Sequence, residues 1–534
     1  LEEKASLCSG ETAWSTKAIT RLGIPSIFMT DGPHGLRKAE GFDFTNSVPS
    51  TCFPTASALA SSWNPALAQK MGEALGSESQ ANDVQILLGP GVNMKRSPLG
   101  GRNFEYFSED PVLAGKIAIG FINGVQSQGV GTSMKHFAAN SQEAERMSNS
   151  SNVDERTLNE IYFPAFEMAV KEAQPWTVMC SYNKLNGTYA SENSYLLNQM
   201  LKEKWGLQGF VVSDWGAVNE RALGVGAGLH LEMPASGGFN DKKIVEAVKK
   251  GTLAEARLDE IVTDLLTITL KAKDSHKKGI VVDKVKHNEL ARQVSGECIV
   301  LLKNDNAILP LKSALKKIAI VGDFAKNPRY QGAGSSQVRP TQIVNALNEL
   351  QKMAKGTQFS FSTGYNTAGE TDDAKIAEAV QNAKNSELVI VFAGLPDSYE
   401  SEGFDRNNMD LPAGHNKLIS EVAKVNKNIV VVLMNGAAVS MPWKNDVAAI
   451  VEAYLGGQAG GGAIADVLTG KVNPSGKLSE TFPAHLEDTP TAMDFPSKDG
   501  NANYGEGIFI GYRYYDKKKI EPNFPFGYGL SYTS

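Results

Sequence analysis

The chain has 534 residues, 42% hydrophobic and 21% charged, with a formal net charge of −6. That length allows two large buried cores, and the composition is ordinary for a soluble globular protein. No clustered basic face points to nucleic acid, and no apolar run reaches the ~18 residues that a membrane span needs.

From Ile24 to about Met233, short apolar runs end in polar or Gly/Pro punctuation: IPSIFMTD (24–31), VQILLGPG (84–91), VGTSMKHF (130–137), WTVMCSYN (176–183) and GFVVSDWG (209–216). Near-continuous apolar runs of this kind fit strands buried on both faces. Helical periods lie between them. Pro65–Ser79 carries Leu67, Met71 and Leu75 on one face, and 154–173 carries Leu158, Ile161, Phe166 and Val170. This alternation predicts a parallel sheet closed as a TIM-like (β/α)8 barrel over residues 1–275.

The charged stretch 271–286 reads as a linker or its flanking helices, with the linker placed at 276–300. Over 301–515 the rhythm restarts with KKIAIVGDFA (316–325), SELVIVFAGL (386–395), KNIVVVLMNG (427–436) and VAAIVEAYLG (447–456). Helical stretches at 373–383 and 416–425 separate them, which predicts an α/β sandwich of the αβα type. The tail, 516–534, is aromatic and Gly-rich, hence irregular and packed back onto a domain.

In a parallel barrel, side chains at the carboxyl ends of the strands converge on one face. Those ends are Asp31, Lys135-His136, Tyr182 and Asp214-Trp215, with Arg102 and Arg146 in loops that follow two of the strands. A polar ring with an aromatic platform suits a sugar. Asp214 is placed to attack an anomeric carbon or to cap the next helix. Asp31 clamps hydroxyls or caps a turn; Lys135 and His136 donate to a sugar or hold the barrel mouth. Arg102 is a ligand or a surface cation, and Tyr182 belongs to the site or to the core. In the second half, Glu400, Glu402, Asp405 and Arg406 share a loop that composition alone reads as solvated surface. The Gly-rich run 456–463 lacks the Lys and Ser/Thr of a phosphate loop and reads as a tight strand-to-helix turn. Cys8, Cys52, Cys180 and Cys298 form no CxxC pair, so no zinc cage or redox dithiol is expected. No metal or other cofactor is required.

These motifs together resemble glycoside hydrolase family 3, of the β-glucosidase type. The resemblance runs over essentially the whole chain. It is carried by MTDGPHGLR (29–37), GPGVNMKRSPLGGRNFEYFSEDP (89–111), MKHFAANSQEAERM (134–147), VDERTLNEIYFPAFE (153–167), MCSYNKLNG (179–187), GFVVSDWGA (209–217), SEGFDRNNMDLP (401–412) and NPSGKLSETFP (473–483). It implies an active site between the two domains, Asp214 as nucleophile and Glu402 as acid/base, with Glu400 as the fallback. It also implies that Asp31, Arg102, Lys135, His136, Arg146, Tyr182 and Trp215 bind the terminal sugar. A serine of Gly334-Ser335-Ser336 is expected to reach in from the second domain. One departure is His230, in AGLHLEMP (227–234), where relatives carry aspartate; a structural swap is the favoured reading.

The implied reaction is retaining, exo-acting hydrolysis of terminal β-D-glucosyl residues from a β-glucoside or cello-oligosaccharide, with carboxyl groups about 5–5.5 Å apart. It calls for a nucleophile kept ionised by Lys135 and the arginines, and an acid whose pKa is raised. The rivals are a β-xylosidase or α-L-arabinosidase, an exo-β-glucanase, an N-acetylglucosaminidase and a catalytically silent sugar-binding protein. Asp31, where xylosidases tend to carry Glu, favours a hexose. No nucleic-acid or membrane partner is expected; a homo-oligomer, and a cytoplasmic or secreted address, stay open.

Overall fold

The structure is a computed structural model that describes residues 1–39, 46–353 and 356–533. Five parallel strands form the first sheet in chain order: β1 (Met29–Asp31), β2 (Ile86–Leu88), β3 (Gly131–Phe137), β4 (Thr177–Cys180) and β5 (Phe210–Ser213). Each falls inside an apolar run singled out above, and every residue in them is buried.

The ring closes by a different device from eight like βα units. Val212 bridges Leu231 and Glu232 bridges Ser9, both parallel; Gly10–Thr16 and Ser15–Phe28 then return antiparallel to the start of β1. The residues before β1 thus supply a short hairpin as the last staves. It also brings Trp14 to the barrel mouth, its carbonyl accepting the Met29 N–H at 2.8 Å.

The helix expected from Pro65 runs Pro65–Ala81, capped by the Asn64 side chain on the Ala66 and Leu67 N–H groups. The single helix expected over 154–173 is broken. A turn at Glu155–Thr157 leads into a π segment, Leu158–Tyr162, and the α-helix restarts at Pro164–Ala173. Pro164 has no N–H to continue the ladder, so the break falls immediately before it. Residues 276–300 contain the helix Lys284–Cys298, which buries Ala291, Val294 and Cys298.

Among the described residues, the main sheet of the second domain has six strands: β6 (Val300–Asn304), β7 (Lys317–Val321), β8 (Gln358–Ser362), β9 (Leu388–Gly394), β10 (Ile429–Met434) and β11 (Ala449–Glu452). Their order is β8-β7-β9-β10-β11-β6, parallel except for β6 against β11. Sequence reading found four of these. It missed β8, whose QFSFS alternates polar and apolar at the sheet edge, and β6, which abuts the presumed linker. The sheet's order reverses between β7 and β9, and ligands of open α/β sheets gather at such points, beyond the strands' carboxyl ends.

A small third sheet ties the domains. Asn501–Asn503 pairs parallel with Ser150–Asn152 of a barrel loop, which pairs with the hairpin Lys184–Leu185 and Thr188–Tyr189. The tail packs back through bridges of Phe524 with Phe482 and Leu530 with Leu301. No helix is long and apolar enough to cross a membrane among the described residues.

Candidate active site

The barrel mouth and the switch point of the second sheet face one cavity of about 170 Å³, lined by Trp14, Asp31, Arg102, Lys135, His136, Met179, Tyr182, Asp214, Trp215, Ser335 and Glu402. Asp31 ends β1, and Asp214 follows β5 directly. Neighbouring side chains on a regular strand point to opposite faces. The register of β3 against β4 shifts between Met134 and Phe137, and both Lys135 and His136 reach the mouth.

Glu105, which the sequence reading did not single out, organises the floor. Its side chain is fully buried and takes Arg102 Nη2 at 2.7 Å and Lys135 Nζ at 3.3 Å, while Lys135 also meets Asp31 at 3.4 Å. Burial alone would raise the Glu105 carboxyl, but Arg102 and Lys135 pull it below the ordinary range. Burial does dominate at Asp31, which is raised despite Lys135 and Arg37. Arg37 spans the domain boundary, its Nη1 donating to the Ser335 carbonyl at 2.8 Å.

Arg102 Nη2 lies 3.2 Å from His136 Nε2, and Tyr106 Oη lies 3.2 Å from Nδ1. A guanidinium can only donate, so Nε2 accepts and the ring proton sits on Nδ1. Burial, then Arg102 and Lys135, hold the imidazole well below its usual pKa. His136 is therefore neutral, and its Nε2 at 3.7 Å from Asp214 Oδ2 makes no ion pair.

That leaves Asp214 with one engaged oxygen. Oδ1 accepts the Trp215 N–H at 2.7 Å, while buried Oδ2 has no hydrogen-bond partner. The nearby Tyr182 hydroxyl donates to the Trp215 carbonyl at 3.2 Å. The next helix begins only at Arg221, so Asp214 does not cap it. Trp215 anchors its Nε1 on the Ala13 carbonyl at 2.8 Å, and its ring packs 5.2 Å from that of Trp14. These indoles form the aromatic wall.

The acidic loop after β9 is docked rather than solvated. Glu402 Oε1 accepts from Arg146 Nη1 at 2.8 Å and lies 3.6 Å from Arg102 Nη1; Oε2 accepts the Ser335 N–H at 2.6 Å. Ser335, not the buried Ser336, lines the cavity. Close approach here depends on two glycines. A Cβ on Gly101 would overlap the Phe404 carbonyl, and one on Gly334, at φ +95°, would meet Glu402. Glu400 is fully buried outside the cavity, taking the Gly436 N–H at 2.9 Å.

The two carboxyls are shifted in opposite senses. Burial raises Asp214, against Arg102 and Lys135. Burial opposes ionisation of Glu402 too, but Arg102, Arg146 and the Ser335 donors hold it well below the usual carboxylate range. Glu402 touches its cations directly; Asp214 is eased by the Trp215 N–H and by Tyr182, with Arg102 and Lys135 farther off.

His230 is structural. Nδ1 accepts the Val211 N–H at 3.1 Å and Nε2 donates to Asp264 at 3.0 Å, and neither His230 nor Asp264 lines the cavity. All four cysteines are buried and free. Among the described residues, no group of three or more His, Cys, Asp or Glu is arranged to hold a metal.

A barrel and an α/β sandwich sharing one carboxylate-lined cavity define a two-domain, sugar-sized site. The sequence description of the glycosyl hydrolase family 3 N-terminal domain matches residues 10–268, and that of its C-terminal domain matches 299–532. The chain belongs to glycosyl hydrolase family 3. It is 57% identical to thermostable beta-glucosidase B of Acetivibrio thermocellus, covering 100% of this chain and 71% of that protein. It is 49% identical to an exo-alpha-(1->6)-L-arabinopyranosidase of Bifidobacterium longum, over 100% of this chain and 72% of that one. The GH3 beta-glucosidase structure from Bifidobacterium adolescentis superimposes with TM-score 0.95 at 49% identity, covering 100% of this chain and 77% of that one.

Proposed function

We propose that the protein is a retaining, exo-acting β-glucosidase, with Asp214 as nucleophile and Glu402 as acid/base. The observation that carries this is Asp214 Oδ2, a buried carboxylate oxygen without a partner at the edge of a cavity that Glu402 also lines. An unpaired buried acceptor is costly and calls for a function. In the first half-reaction Oδ2 bonds to the anomeric carbon as the glycosidic C–O bond breaks, and the Glu402 proton passes to the leaving oxygen. In the second, Glu402 takes a proton from water, whose oxygen displaces Asp214 from the anomeric carbon.

Asp31 and Lys135, the latter backed by buried Glu105, line the inner end of the cavity, which favours attack on a terminal sugar. Asp31, Lys135, His136 and Arg102 offer hydroxyl partners; Trp215 and Trp14 offer an apolar wall; Arg146 and Tyr182 stand beside the carboxylates, with the guanidinium 5.0 Å over the phenol ring. Sugar binding has to loosen Arg102 and Arg146 from Glu402 before it can hold a proton.

Several relatives, at 57% to 35% identity, are named beta-glucosidases, which supports this reading. A second reading, an α-L-arabinopyranosidase, is favoured by the relatives of that name at 49% identity. The two sugars share anomeric geometry; arabinopyranose lacks the C6 hydroxymethyl and carries its 4-hydroxyl axial. A chromogenic panel of β-glucoside, β-xyloside, α-L-arabinopyranoside and β-N-acetylglucosaminide separates them. The expected ranking by kcat/KM puts the β-glucoside first; arabinopyranoside first establishes the second reading. Failure on all four removes the enzymatic one.

A further inference from the structure

Glu143 and Asp405 are absent from the cavity lining, yet each binds the backbone beside the other across the domain boundary. Asp405, three residues after Glu402, accepts on Oδ2 the N–H groups of Glu143 (2.9 Å) and Ala144 (2.8 Å), and on Oδ1 that of Gly101 at 3.1 Å. In return, Glu143 Oε2 accepts the Gly403 N–H at 2.9 Å and Arg146 Nη1 at 2.7 Å. That same Arg146 nitrogen donates to Glu402 Oε1 at 2.8 Å.

The chain folds back on itself here, Ser401 bridging Phe404 with Glu402 and Gly403 at the tip. Asp405 therefore fixes the base of the turn, Glu143 fixes its tip, and Arg146 links Glu143 to the Glu402 carboxylate. Burial raises both carboxyls, Glu143 to about 7, so the pair acts through the hydrogen bonds that its oxygens accept and not through charge alone. Glu143 itself is only 6% exposed, so its partners are not readily replaced by water.

We propose that Glu143 and Asp405 are positioning residues for the acid/base: a reciprocal pair of carboxylates that locks the 401–404 turn of the second domain onto the barrel loop after β3. This rests on the reading of Glu402 as acid/base. A misplacement of about 1 Å costs a catalytic group on the order of 10²-fold, and neither domain alone fixes this turn. Plain interdomain adhesion would act on every substrate alike; positioning of a proton donor does not.

Leaving-group dependence distinguishes the two. 2,4-Dinitrophenolate departs without a proton, whereas an alkoxide needs one. In the full chain, Glu143→Gln keeps the volume and one acceptor oxygen, and Asp405→Asn does likewise. Both variants are expected to lose roughly 10- to 100-fold in kcat/KM on methyl β-glucoside and less than about threefold on the dinitrophenyl β-glucoside. Glu402→Ala, run alongside, shows the same selectivity at larger amplitude, with kcat on the dinitrophenyl substrate raised by azide. Equal loss on both substrates, or no loss on either, overturns the positioning role while Glu402→Ala stays selective. If Glu402→Ala itself is unselective, the acid/base reading fails instead. Should Glu143→Gln not fold, as judged by its thermal melt, Asp405→Asn and Gly101→Ala carry the same readout.

Discussion

Arg146, on a barrel loop, donates from Nη1 to Glu402 Oε1 at 2.8 Å, so a residue of one domain controls the charge of a carboxylate belonging to the other. The same guanidinium nitrogen serves Glu143 at 2.7 Å. Arg102 and Arg146 together hold Glu402 ionised, and both have to loosen before it takes a proton. Arg146→Met removes one of the charges that lower the Glu402 pKa. The limb of the kcat/KM profile that titrates Glu402 is expected to move to higher pH. A limb that stays fixed or moves down contradicts this arrangement.

Asp214 behaves in the opposite sense. Burial lifts its carboxyl above the ordinary 3.8, so it becomes a nucleophile only once the pH passes that raised value. Inactivation by a 2-deoxy-2-fluoro-β-glucoside with a dinitrophenolate leaving group needs no acid. Its rate should climb with pH through a single midpoint above 3.8. A midpoint at or below the ordinary value would count against the raised carboxyl.

Glu105 is the counter-charge to both Arg102 and Lys135. Removing one member of a buried ion pair leaves the other stranded, at a cost of about 3–5 kcal/mol. Glu105→Gln is accordingly expected to lower Tm and weaken glucose binding together, since both cations lose their orientation. Calorimetry in the presence and absence of glucose reads both. An unchanged melt and glucose affinity would mean that Arg102 and Lys135 are held by something else.

Glu109 offers a pH signature away from the chemistry. Burial raises its carboxyl to about 7, against hydrogen bonds from Thr481 and Tyr512. The folded state then binds this proton more tightly than the unfolded chain does, so the group's stabilisation is complete below 4.5 and is lost as pH rises through about 7. Glu109→Gln cannot lose it. The difference in Tm between variant and parent should shift in the variant's favour from pH 4.5 to 8. A constant difference across that window would place the carboxyl nearer its ordinary value.

The barrel strands and their functional tips were legible because strands buried on both faces leave unbroken apolar runs that end where the polar residue begins. Asp31, Lys135, His136, Tyr182, Asp214 and Trp215 are read that way, with Arg102 and Arg146 in the loops that follow, and motif resemblance singles out Glu402 from the acidic loop. Glu105 escaped notice although it lies three residues after Arg102; its partner Lys135 is distant in sequence, and only folding pairs them. Trp14 left no signal either, because its place at the mouth follows from a hairpin that closes the barrel with two short staves. The acidic loop misled composition. Asp405 and Glu402 look solvated in sequence, yet both are half-buried, held by cations and N–H groups of the other domain. The same long-range pairing explains why the acidities of Asp214 and Glu402 could not be ordered from the chain alone.

Trapping the intermediate puts the central claim to its most direct trial. The intact enzyme is incubated with 2-deoxy-2-fluoro-β-glucosyl fluoride, digested with pepsin and mapped by tandem mass spectrometry. One fluoroglucosyl unit on the carboxylate of Asp214 is the predicted result. A label on any other side chain, or no label from an enzyme that still turns over β-glucosides, would contradict the account.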